Sequence, residues 1–266
     1  MLAREFHSLW KNRGVVWALT RHDIRSRYAG SALGAVWAYL QPLLVVACYV
    51  LVFDIVFSLR AQHANGHVRL GAYLVAGALP WLTFTEGLGR GASSLLEAGS
   101  LLQKNNLPVG VFVLRTVLSA VVVYAPLLVA VACGFAYAVG SYASTAWAAL
   151  PLLLLLHFLL IFILAYIGAL LAAASRDVLQ VLSFSLAVGI YLSPVLFPME
   201  LFPQDWRWVL YANPMTGIVL GYQDLLLAGR WPALTTWVST TAWLLVGGAL
   251  LTRLLRNSKD QIRDWL

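Results

Sequence analysis

The chain has 266 residues, of which 61% are hydrophobic and 11% charged, with a mean hydropathy of +0.80. A water-soluble domain carries about a quarter of its residues charged, so this composition excludes one and points to an integral membrane protein. The formal net charge of +7 does not signal nucleic acid, because the cations stand at the ends of apolar runs, where anionic headgroups bind them.

The N-terminal segment 1–30 holds Phe6, Leu9, Trp10 and Trp17, interrupted by Arg4, Lys11, Arg13, Arg21, Arg25 and Arg27. No uninterrupted apolar core precedes a small-residue cleavage site, so no cleavable signal peptide is expected. On a helix, Trp17, Thr20, Ile24 and Tyr28 form one stripe, while His22, Asp23 and Ser26 face away from it. Arg21 and Arg27 flank that stripe, where long side chains lie along lipid and lift their charge to the headgroups. Segment 1–30 therefore reads as an amphipathic helix in the cytoplasmic interface. Gly30, Ser31 and Gly34 supply its bend into a transmembrane domain over 31–266.

Spanning the hydrocarbon takes about 20 mostly apolar residues as a helix. The runs at 34–58, 70–88, 109–139, 146–174, 178–198 and 232–252 qualify. They are continuous rather than alternating, which predicts helices and not a barrel. Fourteen of the lysines and arginines fall on the side of the two termini, against Arg60, Arg69, Arg207 and Arg230 on the other. That asymmetry places both termini in the cytoplasm. Pro42 and Pro126 can kink their spans, and Cys48 and Cys133 are expected to be small buried side chains.

Between the second and third runs, Ser93 or Ser94 is expected to cap a short helix over 93–104, with Glu97 in an early turn. Asn105, Asn106 and Pro108 would end it. Such a helix is either a docking element for a soluble partner or a plain connector. After the fifth run, Pro194, Pro198 and Pro203 break regular helix. Asn213-Pro214 then starts a short helix that Gly229 stops. This segment is too apolar for a free loop and too broken to span. It predicts two short helices dipping into the outer leaflet and back, which protein or a watery cavity must line. Trp206, Trp208, Tyr211 and Trp231 are either interface-belt aromatics or a platform for sugar rings.

Asp54, Glu86 and His157 are the main ionisable residues within the runs, and only His157 lies deep. The two halves do not resemble each other, so ion-coupled transport is poorly supported. The chain lacks G-x-x-x-x-G-K-[ST], H-E-x-x-H, G-x-S-x-G and C-x-x-C. It therefore has no phosphate loop of its own, and no catalytic or metal-binding residue is assigned.

Two blocks of residues resemble a known family in order and spacing. The first is Asp23, Arg27-Tyr28, Ser31, Leu33-Gly34, Trp37 and Gln41-Pro42; the second is Ser193-Pro194, Phe197-Pro198, Pro203 and Asn213-Pro214. They are similar to the permease subunits of ABC-2 type exporters, and within these to the Wzm-like group that exports O-antigen and related polysaccharides. His22 departs from that pattern. The resemblance implies an all-α membrane protein with six transmembrane helices, a cytoplasmic interface helix and a re-entrant outer hairpin. It implies a homodimer in a bacterial inner membrane, driven by two copies of an ABC ATP-binding subunit that holds the ATP and Mg.

The implied substrate is a polysaccharide on a polyprenyl pyrophosphate lipid. Capsular polysaccharide, teichoic acid or a small hydrophobic compound are alternative cargoes, and a membrane-embedded enzyme or ion-coupled transporter is the alternative class. The interface helix and Glu97, Lys104, Asn105 and Asn106 would meet the ATPase, with the first and fifth spans and the outer hairpin bordering the path. A sliding sugar chain needs polar or aromatic walls without charge, which selects Trp37, Tyr39, Tyr49 and Tyr191. Plain helix packing is the competing role for each. Arg21, Arg25 and Arg27 fit the lipid's pyrophosphate, since guanidinium matches phosphate oxygens. Orientation signal and general lipid anchoring compete with that role.

Overall fold

A computed structural model describes residues 2–56, 70–104, 107–141 and 144–257. Among them every regular element is helical. Helix α1 (Leu2–Lys11) meets α2 (Arg13–Arg27) at Asn12, whose Nδ2 donates to the Ser8 carbonyl at 2.8 Å. The chain then turns through Gly30 and Gly34, at φ of 84° and 52°. Both values lie in the left-handed region that glycine enters without steric cost, so the expected bend is present. A 3₁₀ turn (Gly34–Val36) leads into α3 (Trp37–Tyr49), which continues as a π-helical stretch over Val50–Val56.

The remaining elements are α4 (Leu70–Glu97), α5 (Gly99–Lys104), α6 (Gly110–Val139), α7 (Ala149–Ala174) and α8 (Asp177–Gly189). Two 3₁₀ turns (Met199–Leu201, Gln204–Trp206) precede α9 (Arg207–Tyr211), α10 (Thr216–Ala228) and α11 (Leu234–Asn257).

Among the described residues, four helical runs are long and apolar enough to cross a membrane: Gly34–Phe53, Gly110–Ala138, Thr145–Ala174 and Leu234–Asn257. The other two runs expected to span differ for separate reasons. Helix α4 has 28 residues, more than enough for a bilayer core of about 30 Å, but Glu86, Arg90 and several glycines dilute its apolarity. Helix α8 stops at Gly189 after 13 residues, short of the expected end at residue 198. Turns carry the chain from there through Ser193 and Pro194.

Helix α4 is the centre of the molecule, packed most extensively on α7 and also on α6 and α10. Its small residues permit that closeness. A methyl group added at Gly91 would fall 2.5 Å from Cβ of Ala165, and one at Gly87 would fall 2.7 Å from Cγ2 of Ile161. In lipid, where apolar side chains gain little by leaving hydrocarbon, such close van der Waals contact is what holds helices together. Helix α4 also runs past its expected end to Glu97. Ser93 and Ser94 are therefore not caps: their hydroxyls return to the carbonyls of Arg90 (3.1 Å) and Gly91 (2.6 Å) within the helix. The break falls at Ala98, between α4 and α5.

Packing is uneven. In the most apolar stretch of Gly34–Phe53, 11% of residues are buried, against 44% in Thr145–Ala174. Helix α8 contains no buried residue at all. Between α8, α4 and α7 lies a groove of about 500 Å³ that includes Trp81, Phe84, Ser185, Gly189 and Asn213. Thus α3 and α8 hang on a dense core made by α4, α6, α7 and α10. His157 sits inside that core, stacked on Phe158 and edge-on to Tyr222 at ring-centroid distances of 5.5 and 5.8 Å. It is a packing group among aromatic rings. Cys48 and Cys133 are exposed on the molecule's surface rather than buried, because their helices turn those faces outward.

Candidate functional site

The site begins with two acid–base pairs at helical spacing. Asp23 and Arg27 lie four residues apart on α2, and Glu86 and Arg90 four apart on α4, each acid N-terminal to its base as helices prefer. The two pairs face each other. Arg27 donates through Nη1 to Glu86 Oε1 at 2.9 Å and through Nη2 to Asp23 Oδ2 at 3.3 Å. Arg90 donates through Nη2 to both oxygens of Asp23 at 3.1 Å and approaches Glu86 at 3.5 Å. Asp23 is 7% exposed. Four charges that would each be costly at this depth close into a neutral ring in which every one has a counter-charge.

The ring fixes how α2 is turned. Its buried side is Val16, Thr20 and Asp23, continued by Arg27, while Trp17 is 50% exposed. Trp17 of the stripe expected to lie along lipid is thus exposed, whereas Thr20 of the same stripe is buried. Lipid takes the place of water outside, so the most apolar stripe can face outward while Asp23 turns in to meet Arg90. Hydroxyls add to the joint. Thr20 reaches the Arg115 carbonyl at 3.4 Å, and Ser119 of α6 donates to the carbonyls of Arg115 (2.9 Å) and Thr20 (3.4 Å).

From the ring, α4 continues for about three turns to Glu97, an exposed carboxylate that accepts a 2.5 Å hydrogen bond from Ser93. Lys104 ends α5. Asn105 and Asn106, the other residues expected at the ATPase contact, lie outside the described residues. Arg21 and Arg25 are exposed on α2, whereas Arg27 is occupied by Asp23 and Glu86.

The aromatic candidates for a path lie on α3 and just after α8. Trp37 is 39% exposed. Tyr39 is 36% exposed and donates to the Val122 carbonyl of α6 at 3.3 Å. Tyr49 is half-buried against the core, with its ring 6.3 Å from that of Phe53. Tyr191, just after α8, is 64% exposed. Trp206, Trp208 and Trp231 are all more than half exposed.

The irregular segment after α8 is fastened by side chains that sequence reading undervalued. Tyr73 of α4 directs its hydroxyl at the carbonyls of Pro194 (2.7 Å) and Phe197 (2.9 Å). Gln223 of α10 donates to the same Pro194 carbonyl at 2.7 Å. Asn213 accepts at Oδ1 from the Met215 N–H (3.0 Å) in the turn before α10, which starts at Thr216 with Met215 as its N-cap, two residues beyond the expected cap at Asn213; its Nδ2 donates to the carbonyls of Gly189 (2.9 Å) and Leu192 (3.2 Å). Prolines leave carbonyls without helical donors, and these amides and this phenol supply them. The available signal was a glutamine, beside Asp224, inside a largely apolar helix. Gly229 closes α10 in the left-handed region at φ 57°, as expected.

The family model for the ABC-2 type transporter matches residues 14–227, from the start of α2 to the end of α10. The chain belongs to the ABC-2 type transporter family. Its similarity to an O-antigen export system permease protein RfbA of Myxococcus xanthus is 29% identity over 87% of each chain. Two proteins of the same name from Klebsiella pneumoniae are 25% and 23% identical, each over 79% of both chains. As an ABC-2 permease, the chain is a transport subunit, and the family implies an ABC ATPase as its partner. The matched region includes the whole charged ring, the glycine bend and the braced segment around Pro194.

Proposed function

We propose that the chain is the membrane subunit of an exporter that carries a lipid-linked, O-antigen type polysaccharide across the bacterial inner membrane. The observation that carries this reading is the similarity to an O-antigen export permease along 87% of both chains. In this reading the chain lacks an ATPase site and works as a homodimer with two ATP-binding subunits, which hold the ATP and Mg. Both termini are cytoplasmic. Helices α3, α4, α6, α7, α8 and α11 are the six spans, α8 being extended by the turns after Gly189. The segment from there to Gly229 re-enters the outer leaflet.

The packing supports a division of labour. Helix α2 and the end of α4 face the ATPase, which touches Glu97, Lys104, Asn105 and Asn106. The charged ring makes α2 and α4 move together, so a push on either is delivered to both. Gly30 and Gly34 let α3 change angle relative to α2, and the sparse packing of α3 and α8 leaves them free to part. With a second copy opposite, Trp37, Tyr39, Tyr49 and Tyr191 wall the path, and Arg21 and Arg25 receive the pyrophosphate. Arg27 joins them only if its ion pairs open.

The test is reconstitution. With an ABC ATPase bound, nucleotide hydrolysis should rise on addition of polyprenyl pyrophosphate-linked glycan, and glycan should cross the bilayer. The chain alone in liposomes should move nothing. Movement of glycan by the isolated chain, or a cysteine near Arg253 labelled from outside intact cells, would falsify this reading.

A further inference from the structure

A second groove, of about 790 Å³, opens on the outside of the molecule between α1–α2 and the pair α6–α7. Its mouth is formed by Trp10, Arg13 and Trp17; its floor runs along α6 from Leu114 to Ala125 and along α7 from Phe162 to Pro151. Among the described residues that line it, Arg13 is the only charged one, and the floor is entirely apolar. The Arg13 guanidinium lies 5.1 Å from the centre of the Trp10 ring, and Lys11 is exposed beside it. Trp10 and Trp17 are 69% and 50% exposed, as is Leu155 on the floor at 63%.

We infer that this groove holds an anionic phospholipid of the leaflet against which α1 and α2 lie. Charge and length both select that occupant. Each wall extends about 17 Å at helical rise, which is roughly half of a hydrocarbon core of about 30 Å and so the depth of one leaflet. An acyl chain lies along α6 and α7 with its phosphate at the cationic mouth, and the two indoles sit at headgroup level, where such rings collect. The leaflet is the cytoplasmic one on the orientation proposed above; the headgroup preference does not depend on that orientation. Helix α2 also carries the charged ring, so the lipid packs against the element that connects to α4.

The experiment is native mass spectrometry of the full chain in detergent, titrated with phosphatidylglycerol or with phosphatidylcholine of the same acyl chains. Phosphatidylglycerol should be retained about fivefold better, the worth of one cation near an anionic surface. Arg13→Gln should bring it down to the phosphatidylcholine level. Arg176→Gln, an exposed cation just before α8 and outside the groove, should leave it unchanged. Leu155→Trp, a surface substitution that fills the floor, should lower retention of both lipids. Equal retention of the two lipids, or an Arg13→Gln variant that binds as the parent does, overturns the inference. So does displacement of phosphatidylglycerol by equimolar polyprenyl phosphate, which would make the groove a substrate site. A change of oligomeric mass with Leu155→Trp would make it a protein contact and would also overturn it. Labelling a cysteine placed at His7 in vesicles of known sidedness tests the orientation separately.

Discussion

Arg90 of α4 holds both carboxylate oxygens of Asp23, on α2, at 3.1 Å from a single guanidinium nitrogen. Their side chains are 26% and 9% exposed, so the contact is neither a solvated surface pair nor a sealed one. Removing one member of a fully buried pair costs about 3–5 kcal/mol. Here Arg27 stays to serve Asp23, so Arg90→Ala should cost about 2 kcal/mol of stability. The double exchange Asp23→Arg with Arg90→Asp should recover part of the loss that each single exchange causes. Thermal unfolding in detergent measures this, and absence of any recovery would show that the two residues do not act as a pair.

The contact between α4 and α7 should be intolerant of volume. Gly91→Leu forces side-chain atoms into Ala165, and over-packing of this kind costs roughly 1–3 kcal/mol or more. Gly134 on α6 has nothing within 4 Å of the position where a methyl would stand, so Gly134→Ala should be neutral or slightly stabilising. Melting temperatures of the two variants should separate clearly. If they fall together, closeness is not what the α4 glycine provides.

Asn213 can be dissected by its two ends. Asn213→Asp keeps the oxygen that accepts from the Met215 N–H but loses the donor to the carbonyls of Gly189 and Leu192. It should loosen the end of α8 at a cost of about 1–3 kcal/mol, while α10 keeps its start. Hydrogen exchange at the amides around Leu192, compared with those of Met215 and Thr216, reports the two effects apart.

The three arginines proposed for pyrophosphate should divide into two classes. Arg21→Gln with Arg25→Gln removes exposed cations and should lower export by about tenfold, the worth of one charge-assisted hydrogen bond, without altering insertion. Arg27→Gln should lower the melting temperature as well, because Asp23 and Glu86 each lose a partner. Export assayed beside protein abundance distinguishes them. Unchanged export in the double variant removes Arg21 and Arg25 from substrate handling.

Much of the architecture was legible because breaks in apolar runs are punctuated by residues with fixed backbone habits. Gly30 and Gly34 mark the bend and Gly229 the end of α10, as expected, while α10 starts two residues beyond the expected cap at Asn213. On α2, Trp17 is exposed as its place on the lipid stripe implies, but Thr20 of that stripe turns inward to the Arg115 carbonyl of α6, a partner far along the chain. The continuation of α4 beyond residue 88 was not legible because Arg90 looks like a loop margin; its partner Asp23 on α2 comes from far along the chain. Helix α8 was read too long because Ile190, Tyr191 and Leu192 are as apolar as the helix before them, and only the carbonyls captured by Asn213 reveal the turn. Of the residues proposed for the site, Arg27 carries a structural duty that its charge alone could not disclose.

The distribution of the charged ring over two distant stretches of sequence constrains how homologous exporters can be spliced. Grafting the first thirty residues of one relative onto another carries Asp23 and Arg27 away from the carboxylate and guanidinium they were matched to. Such a hybrid inherits half of an electrostatic lock, and a workable transplant takes the acceptor segment around Glu86 and Arg90 along with it.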